Sequence, residues 1–477
     1  MLARMLPLVA FTAVLLTTTA LVPPPSPAAA AEEQQIGLGA QTGVSVTIYN
    51  QDLALVRDLR KIDLAAGENS LAFIDVSALM RPETALLSVD GIDTSVLEQN
   101  FNFDLLTPQK MLEKSVGRTV RVITTNPESG RETVEDAVVL SVADGVVLQI
   151  GDRIETASPG RIVFSEVPPN LRSRPTLVIE AESAGAGAAT AELSYLTGGL
   201  GWAADYVAEL SADEKTLDLN GWVTLTNQSG TDYRDARLQL VAGDVNRVEQ
   251  EMYKTTDMVA ASAAPAPQMA EESLFEYHLY TLGRPTTIGQ NQTKQVALLT
   301  ADKVPVEKEF RFTNLSGGSY HYNLGEQQRV NATVFIGFEN TEADNLGLPL
   351  PKGTVRVYKA DGSGQVQFVG EDAIAHTPKN EEVRLTLGQA FDVTARAVQT
   401  RFEQLSDRVY ESAYEVEFKN AKQEPITVAL VEDLPGEWKI LEESAQHEAV
   451  SAFRARWDIE VPAEGSAKLT YSVRIKY

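Results

Sequence analysis

Residues 194–243 read SYLTGGLGWAADYVAELSADEKTLDLNGWVTLTNQSGTDYRDARLQLVAG. From Leu217 onward, Leu217, Leu219, Val223 and Leu225 fall on one face of an extended chain. Asp218, Asn220, Thr224 and Thr226 fall on the other, with Trp222 among them. Side chains alternate across a strand, so a period of two predicts a half-buried antiparallel strand and excludes an amphipathic helix. The block also holds two of the four tryptophans and three turn signals.

The same pattern extends outward in both directions. Val44, Val46 and Ile48 alternate with Ser45 and Thr47, and further strands are expected over 53–64 and 69–74. A single short helix is expected over 107–114, with Thr107 as cap, Pro108 at the first helical position, and Met111 and Leu112 turned inward. Five short strands follow, over 119–125, 133–142, 146–150, 153–156 and 161–164, with turns rich in Gly, Pro, Asn and Asp between them. That spacing predicts a small SH3-like barrel inserted between larger sheets.

The fold class expected is therefore all-β: stacked Ig-like β-sandwiches with the small barrel near the N-terminal part. The divisions read as a flexible leader (32–43), an N-terminal β domain (44–106), the helix plus barrel (107–168), sandwich strands (169–254), a linker (255–273), a further sandwich (274–399) and a C-terminal Ig-like sandwich (400–477). The linker reading rests on TTDMVAASAAPAPQMAEES, a composition that cannot build a core. A local theme recurs, with a strand ending in Asn followed by a turn and a second strand. It appears at Asn227 and Asn420, and more weakly at Asn340.

Arg4, an apolar run over 5–22 and Ala28–Ala31 before Glu32 predict a secretory signal over 1–31, cleaved near Ala31. An uncleaved anchor is the alternative; Pro7 and the threonines at 17–19 argue against it. No later stretch has the length of a spanning helix. The net charge is −25 over 477 residues, and −26 without Arg4. A chain this acidic repels nucleic acid and anionic lipid. It contains no cysteine, which excludes disulfides and thiolate chemistry, so export without disulfides must rely on core burial.

No catalytic constellation is legible. His278, His321, His376 and His447 lack metal-ligand spacing, and no G-x-S-x-G elbow occurs. Gly37/Gly39 and Gly198/Gly199/Gly201 lack the strand–turn–helix context of a phosphate site. Adjacent acids such as Glu371–Asp372 and Glu381–Glu382 would face opposite sides of a strand. No catalytic residue, metal ligand or cofactor is therefore assigned. The one candidate binding group is aromatic: Trp202, Asp205, Tyr206 and Trp222, which could stack on sugars or clamp a peptide. The competing reading places Trp202 in the core and Trp222 at a domain contact.

The stretches SYLTGGLGWAADY, GWVTLTNQSGTDYRDARLQLVAGDVNRV, NLGLPLPKGTVRVYKADGSG, FVGEDAIAHTP and GQAFDV resemble domain-of-unknown-function family 4139, also described as mucoidy-inhibitor-like. VTIYNQDLALVRDLRKIDLAAGENSLAFIDV and MRPETALL resemble the start of the same proteins. The resemblance implies an exported, periplasmic bacterial β-rich protein, and brings no catalytic residues with it. Some relatives carry a long coiled coil where this chain has its expected barrel.

The function expected is that of an exported, non-enzymatic envelope scaffold or binding module, with an envelope protein or glycan as partner. One alternative is a carbohydrate- or peptide-active hydrolase whose acids meet only in three dimensions. Another is a subunit that completes a sheet by edge pairing with a partner.

Overall fold

The computed structural model describes residues 33–50, 52–168, 171–243, 269–318, 320, 322 and 328–477. The expected signal segment, His321 and positions 255–268 of the expected linker lie outside the described residues.

Strands β1 (Glu33–Ile36), β2 (Gln41–Tyr49), β3 (Leu53–Leu64), β4 (Gly67–Ile74), β5 (Leu86–Val89) and β6 (Thr94–Asn102) come first. Helix α1 (Pro108–Glu113) leads into β7 (Thr119–Thr125), β8 (Glu132–Ser141), β9 (Val147–Ile150), β10 (Arg153–Glu155) and β11 (Arg161–Val163). Next come β12 (Thr176–Ser183), β13 (Gly187–Thr197), β14 (Leu200–Leu210), β15 (Thr216–Asn227) and β16 (Tyr233–Ala242). The middle of the chain supplies β17 (Ala270–Leu274), β18 (Tyr277–Thr281), β19 (Thr286–Ile288), β20 (Gln292–Pro305), β21 (Glu307–Thr313), β22 (Val330–Glu339), β23 (Gly353–Ala360) and β24 (Val366–Ile374). The last are β25 (Glu382–Ser406), β26 (Val409–Asn420), β27 (Ile426–Asp433), β28 (Glu437–Glu443), β29 (Glu448–Ser451), β30 (Arg454–Val461) and β31 (Gly465–Lys476).

These strands form an all-β architecture of several sheets. One sheet runs β1-β4-β12-β6 and a second β17-β18-β16-β2-β3-β13-β5, with β19 beside β16. A third runs β20-β15-β14-β23-β24. The inward residues of all three merge into one apolar core, from Ile36 to Leu385. The expected divisions over 44–106 and 169–254 therefore share one core with much of 274–399. A nine-stranded sheet, β28-β31-β26-β25-β22-β21-β27-β30-β29, encloses a second core around Phe312, Phe418 and Trp457. The expected boundary at 399/400 falls inside β25, which serves the first core through Val383 and Leu385 and the second through Val393, Ala395 and Ala397.

The five expected short strands are present as β10-β9-β8-β7-β11, over a separate core of Val120, Val122, Ala137, Val139, Leu148 and Ile150. Helix α1 begins as its sequence requires, with the Lys110 amide donating to Thr107 Oγ1 at 3.2 Å. Met111 and Leu112 are only half-buried.

Two expectations need correction. Positions 33–36 of the leader are not flexible: they form β1, paired in parallel with β4. Arg60, buried within β3, donates to the Ile36 carbonyl at 2.6 Å, and Arg172 grips Glu33 at 2.7 Å. The far end of the expected linker is strand β17, paired with β18.

The strand–Asn–turn theme has a physical basis. Asn227 Nδ2 donates to the carbonyls of Thr231 and Ile288 at 2.9 and 3.1 Å, and its Oδ1 accepts from the Ser229 amide at 3.0 Å. Asn420 repeats this with Glu424 at 2.8 Å, Pro462 at 3.0 Å and the Lys422 amide at 2.9 Å. Asn340 spans a longer loop, to Leu348 at 2.8 Å and Pro378 at 3.0 Å, and accepts from Gly347 at 3.1 Å. Each amide is buried and satisfies turn groups that would otherwise be unpaired.

Candidate functional site

The aromatic group expected around Trp202 is split by the pleat. On β14, Trp202, Ala204, Tyr206, Ala208 and Leu210 point into the core, while Asp205 points the other way. On β15, Leu217, Leu219, Val223 and Leu225 are buried, and Trp222 faces outward beside Asp205, its register partner. Trp202 and Tyr206 thus share one face, and Asp205 and Trp222 the other.

The inner pair is structural. Tyr206 is fully buried and donates to the Pro351 carbonyl at 2.8 Å. Burial pushes its phenol well above the ordinary range. Gly221 lies opposite Tyr206, and a Cβ there would come within 3.3 Å of the ring and 2.9 Å of Leu299. Trp202 is buried and its indole N–H has no hydrogen-bond partner.

On the outer face a polar row crosses the sheet. Thr224 donates to Asp205 at 2.6 Å, Arg356 pairs with Asp205 at 3.0 Å, and Arg356 also reaches Glu371 at 3.2 Å. The hydrogen bond it donates to Asp205 is the main reason the Arg356 guanidinium is held above its ordinary value. The row is half-exposed.

A concave site lies elsewhere, where the two large cores meet. Strand β20 ends at Pro305 and β21 begins at Glu307, and the turn between them forms one wall of a cleft of about 630 Å³. Its lining includes the small residues Gly337, Thr427 and Ala429, and Glu309 on β21. Arg311 donates to Glu309 at 2.6 Å, Arg456 at 2.8 Å and Arg384 at 3.5 Å. Burial raises the Glu309 carboxyl, but the three arginines outweigh it and hold the group below the ordinary carboxylate range. The Arg311 guanidinium also lies 4.5 Å from the Phe335 ring centre.

The arginines are engaged a second time. Arg384 pairs with Glu382 at 2.7 Å and Arg456 with Asp458 at 2.8 Å. Lys308, on the rim, pairs with Glu214 at 2.6 Å, and so does Lys359 from β23. Desolvation raises the Glu214 carboxyl, and the two lysines together bring it down to about 2. Glu214 therefore clasps the third sheet to the last sandwich beside the cleft.

The cleft residues were not found from sequence, although each strand carried a signal. Glu309-Phe-Arg311, Glu382-Val-Arg384 and Arg456-Trp-Asp458 each place an acid and a base two apart on one strand face. Their meeting depends on β21 lying between β22 and β27, which no local pattern encodes.

The three described histidines are each hydrogen-bonded, His278 on β18 and His376 and His447 outside the strands. His278 contacts Glu271 at 2.7 Å, His447 contacts Glu443 at 2.9 Å, and His376 accepts from the Lys352 amide at 3.2 Å. Among the described residues no group of His, Asp or Glu is placed to hold a metal ion, and no helix is long and apolar enough to cross a membrane.

No curated protein matches this chain. Residues 191–477 match the domain of unknown function DUF4139. That span starts within β13 and takes in the third sheet, the whole cleft and the C-terminal sandwich. It covers more than half of the 477 residues, and the chain therefore belongs to the DUF4139 family.

Proposed function

We propose that this is an exported, non-enzymatic β-sandwich protein acting in the cell envelope as a binding module or scaffold, with the cleft around Glu309 as its ligand site. The observation that carries the reading is the charge inventory of the cleft. Six carboxylates (Glu307, Glu309, Glu339, Asp344, Glu382 and Asp458) line it against three cations, Lys308, Arg384 and Arg456. All three cations already have protein partners. Glu307 and Glu339 have no cation partner among the described residues, so the wall is poised to take a basic group on an envelope protein.

The geometry lends less support to a hydrolase. Glycoside hydrolysis needs one carboxyl protonated as the acid. Three arginines hold Glu309 ionised, and two of them also bind the neighbouring acids Glu382 and Asp458. Export is supported by Arg4, the apolar run after it and the small residues before Glu32.

The test is photo-crosslinking from position 307 in the native envelope. The expected result is a small set of discrete adducts at basic segments of one partner, lost in Glu339→Lys. Adducts spread over bulk periplasmic proteins, or a pattern unchanged by Glu339→Lys, would count against the reading.

A further inference from the structure

Strand β6 ends its sheet, with β12 as its neighbour on one side and, among the described residues, no strand on the other. It is nine residues long, TSVLEQNFN, and contains no lysine, arginine or proline. An edge strand leaves a row of backbone N–H and C=O groups open to pairing, and proteins ordinarily blunt such edges with short length, lysine, proline or a cover. The other sheet ends are treated that way. Strands β1, β5, β10, β11, β17 and β29 have five residues or fewer, and β20 and β28 carry lysines. Strand β24 lies against β25, with the Thr386 amide donating to Asp372 at 2.7 Å. Only a bulge at Leu97, between the pairs Glu180–Glu98 and Ala181–Val96, interrupts β6.

The strand is also exposed and apolar. Val96 and Leu97 are exposed, as is Phe103 just beyond the strand, whose ring centre lies 5.8 Å from that of Phe101. Its charge points to one class of occupant. Glu98 lies directly opposite Glu180 in the β6–β12 register. Like charges directly opposite on a sheet are unfavourable. Among the described residues no cation pairs with either: Glu180 accepts from Ser70 at 2.7 Å and Glu98 from Asn100 at 2.7 Å. Strand β12 adds Glu182 and no base.

We propose that the open edge of β6 receives an extended, basic segment of another protein by strand addition. The segment places a lysine or arginine against Glu98 and an apolar side chain against Phe101 and Phe103. A second copy of this chain fits poorly, because its β6 would bring another glutamate. The surface is separate from the cleft and does not depend on it.

The probe is a fluorescein-labelled peptide alternating lysine and valine, titrated into the full mature protein and followed by anisotropy. We expect saturable binding that weakens about tenfold or more in Glu98→Lys and in Leu97→Lys. Both positions are exposed, and far-UV circular dichroism verifies that the variants fold. An alternating glutamate–valine peptide is expected not to bind. Glu128→Lys, in the exposed turn between β7 and β8, is expected to leave the lysine peptide's affinity unchanged. Equal weakening by Glu128→Lys would show that the probe senses only overall negative charge, and would overturn the assignment. So would an affinity unchanged by Glu98→Lys, or self-association of the mature protein abolished by Leu97→Lys in sedimentation.

Discussion

Asp58 in the first sandwich and Glu432 in the last are withdrawn from water to the same degree, at 3% and 0% exposure. Asp58 has a cation: Arg60, two residues along β3, donates to it at 2.7 Å, and Gln41 donates to its other oxygen at 2.8 Å. Glu432 has hydroxyls and an amide instead. Ser316 Oγ donates at 2.6 Å, the Ser316 amide at 3.1 Å and Tyr320 at 3.3 Å. Its surroundings are aromatic, with Tyr414 and Tyr471 stacked at 5.2 Å between ring centres, and Tyr471 and Trp457 at 4.8 Å. Burial therefore dominates, and the Glu432 carboxyl is pushed up to about 7. The comparison separates two uses of a buried acid. One is half of a rivet between sheets, and the other is a protonatable member of a hydrogen-bonded core.

The largest effect is expected at the rivet. Arg60 also donates to the carbonyls of Ile36 on β1 and Ile74 at the end of β4, both at 2.6 Å, so it ties β3 to the opposite sheet. Arg60→Met leaves Asp58 buried without its cation, and the loss of a buried partner costs about 3–5 kcal/mol. Chemical denaturation of the protein measures it. The double variant Asp58→Leu/Arg60→Met is expected to recover part of the loss, because the unpaired charge is gone. A single-variant loss below about 1 kcal/mol, the scale of an exposed ion pair, would show that Asp58 is not a buried charge and would break the comparison.

Glu432 is expected to give a pH signature in stability. Its folded-state value lies above the ordinary 4.5, so between about 4.5 and 7 the folded protein keeps a proton that the unfolded chain releases. Stability therefore falls as pH rises through that window and levels off above 7. At about 1.4 kcal/mol per pH unit the total is about 3 kcal/mol. Glu432→Gln removes the titrating proton, and its stability is expected to stay flat from pH 5 to 8. Unfolding followed by tryptophan fluorescence reports on this sandwich through Trp438 and Trp457. A wild-type curve without the fall, or a variant curve that retains it, would remove Glu432 as its source.

How much of this was legible in the sequence depends on how local the cause is. The alternation from Leu217 to Leu225 sets the faces of β15 because it is a property of consecutive residues. Thr107 and Pro108 set the start of α1 for the same reason. The split of Trp202 and Tyr206 from Asp205 and Trp222 follows from the same alternation, and grouping the four by nearness along the chain concealed it. The ordering of β1 was not legible: Gln34 and Gln35 show no apolar alternation, and its anchors are Arg60 and Arg172, far along the chain. The Glu432 cluster was hidden for the same reason, since Ser316 and Tyr320 arrive from a loop more than a hundred residues earlier. The cleft combines both cases, with legible acid–base pairs and an illegible meeting point.

The smallest effect concerns what the two sandwiches share. Asn227 makes two donor and two acceptor bonds, and Asn420 three donor bonds and one acceptor bond, to their own turn and one neighbouring strand end. Replacement by alanine removes these bonds and leaves buried turn groups unpaired, which costs about 2 kcal/mol at either site. Aspartate is the sharper replacement. It keeps the acceptor for the amide two residues on, but its carboxylate faces two carbonyl oxygens that the amide had served as donor. Asn420→Asp is therefore expected to destabilise at pH 8 at least as much as Asn420→Ala, and to recover toward pH 4 as the acid takes up a proton and can donate one bond. Asn227→Asp is expected to follow the same course. Recovery at one site and not the other would mean that the two turns are held by different groups, and that the resemblance between the sandwiches ends at the sequence.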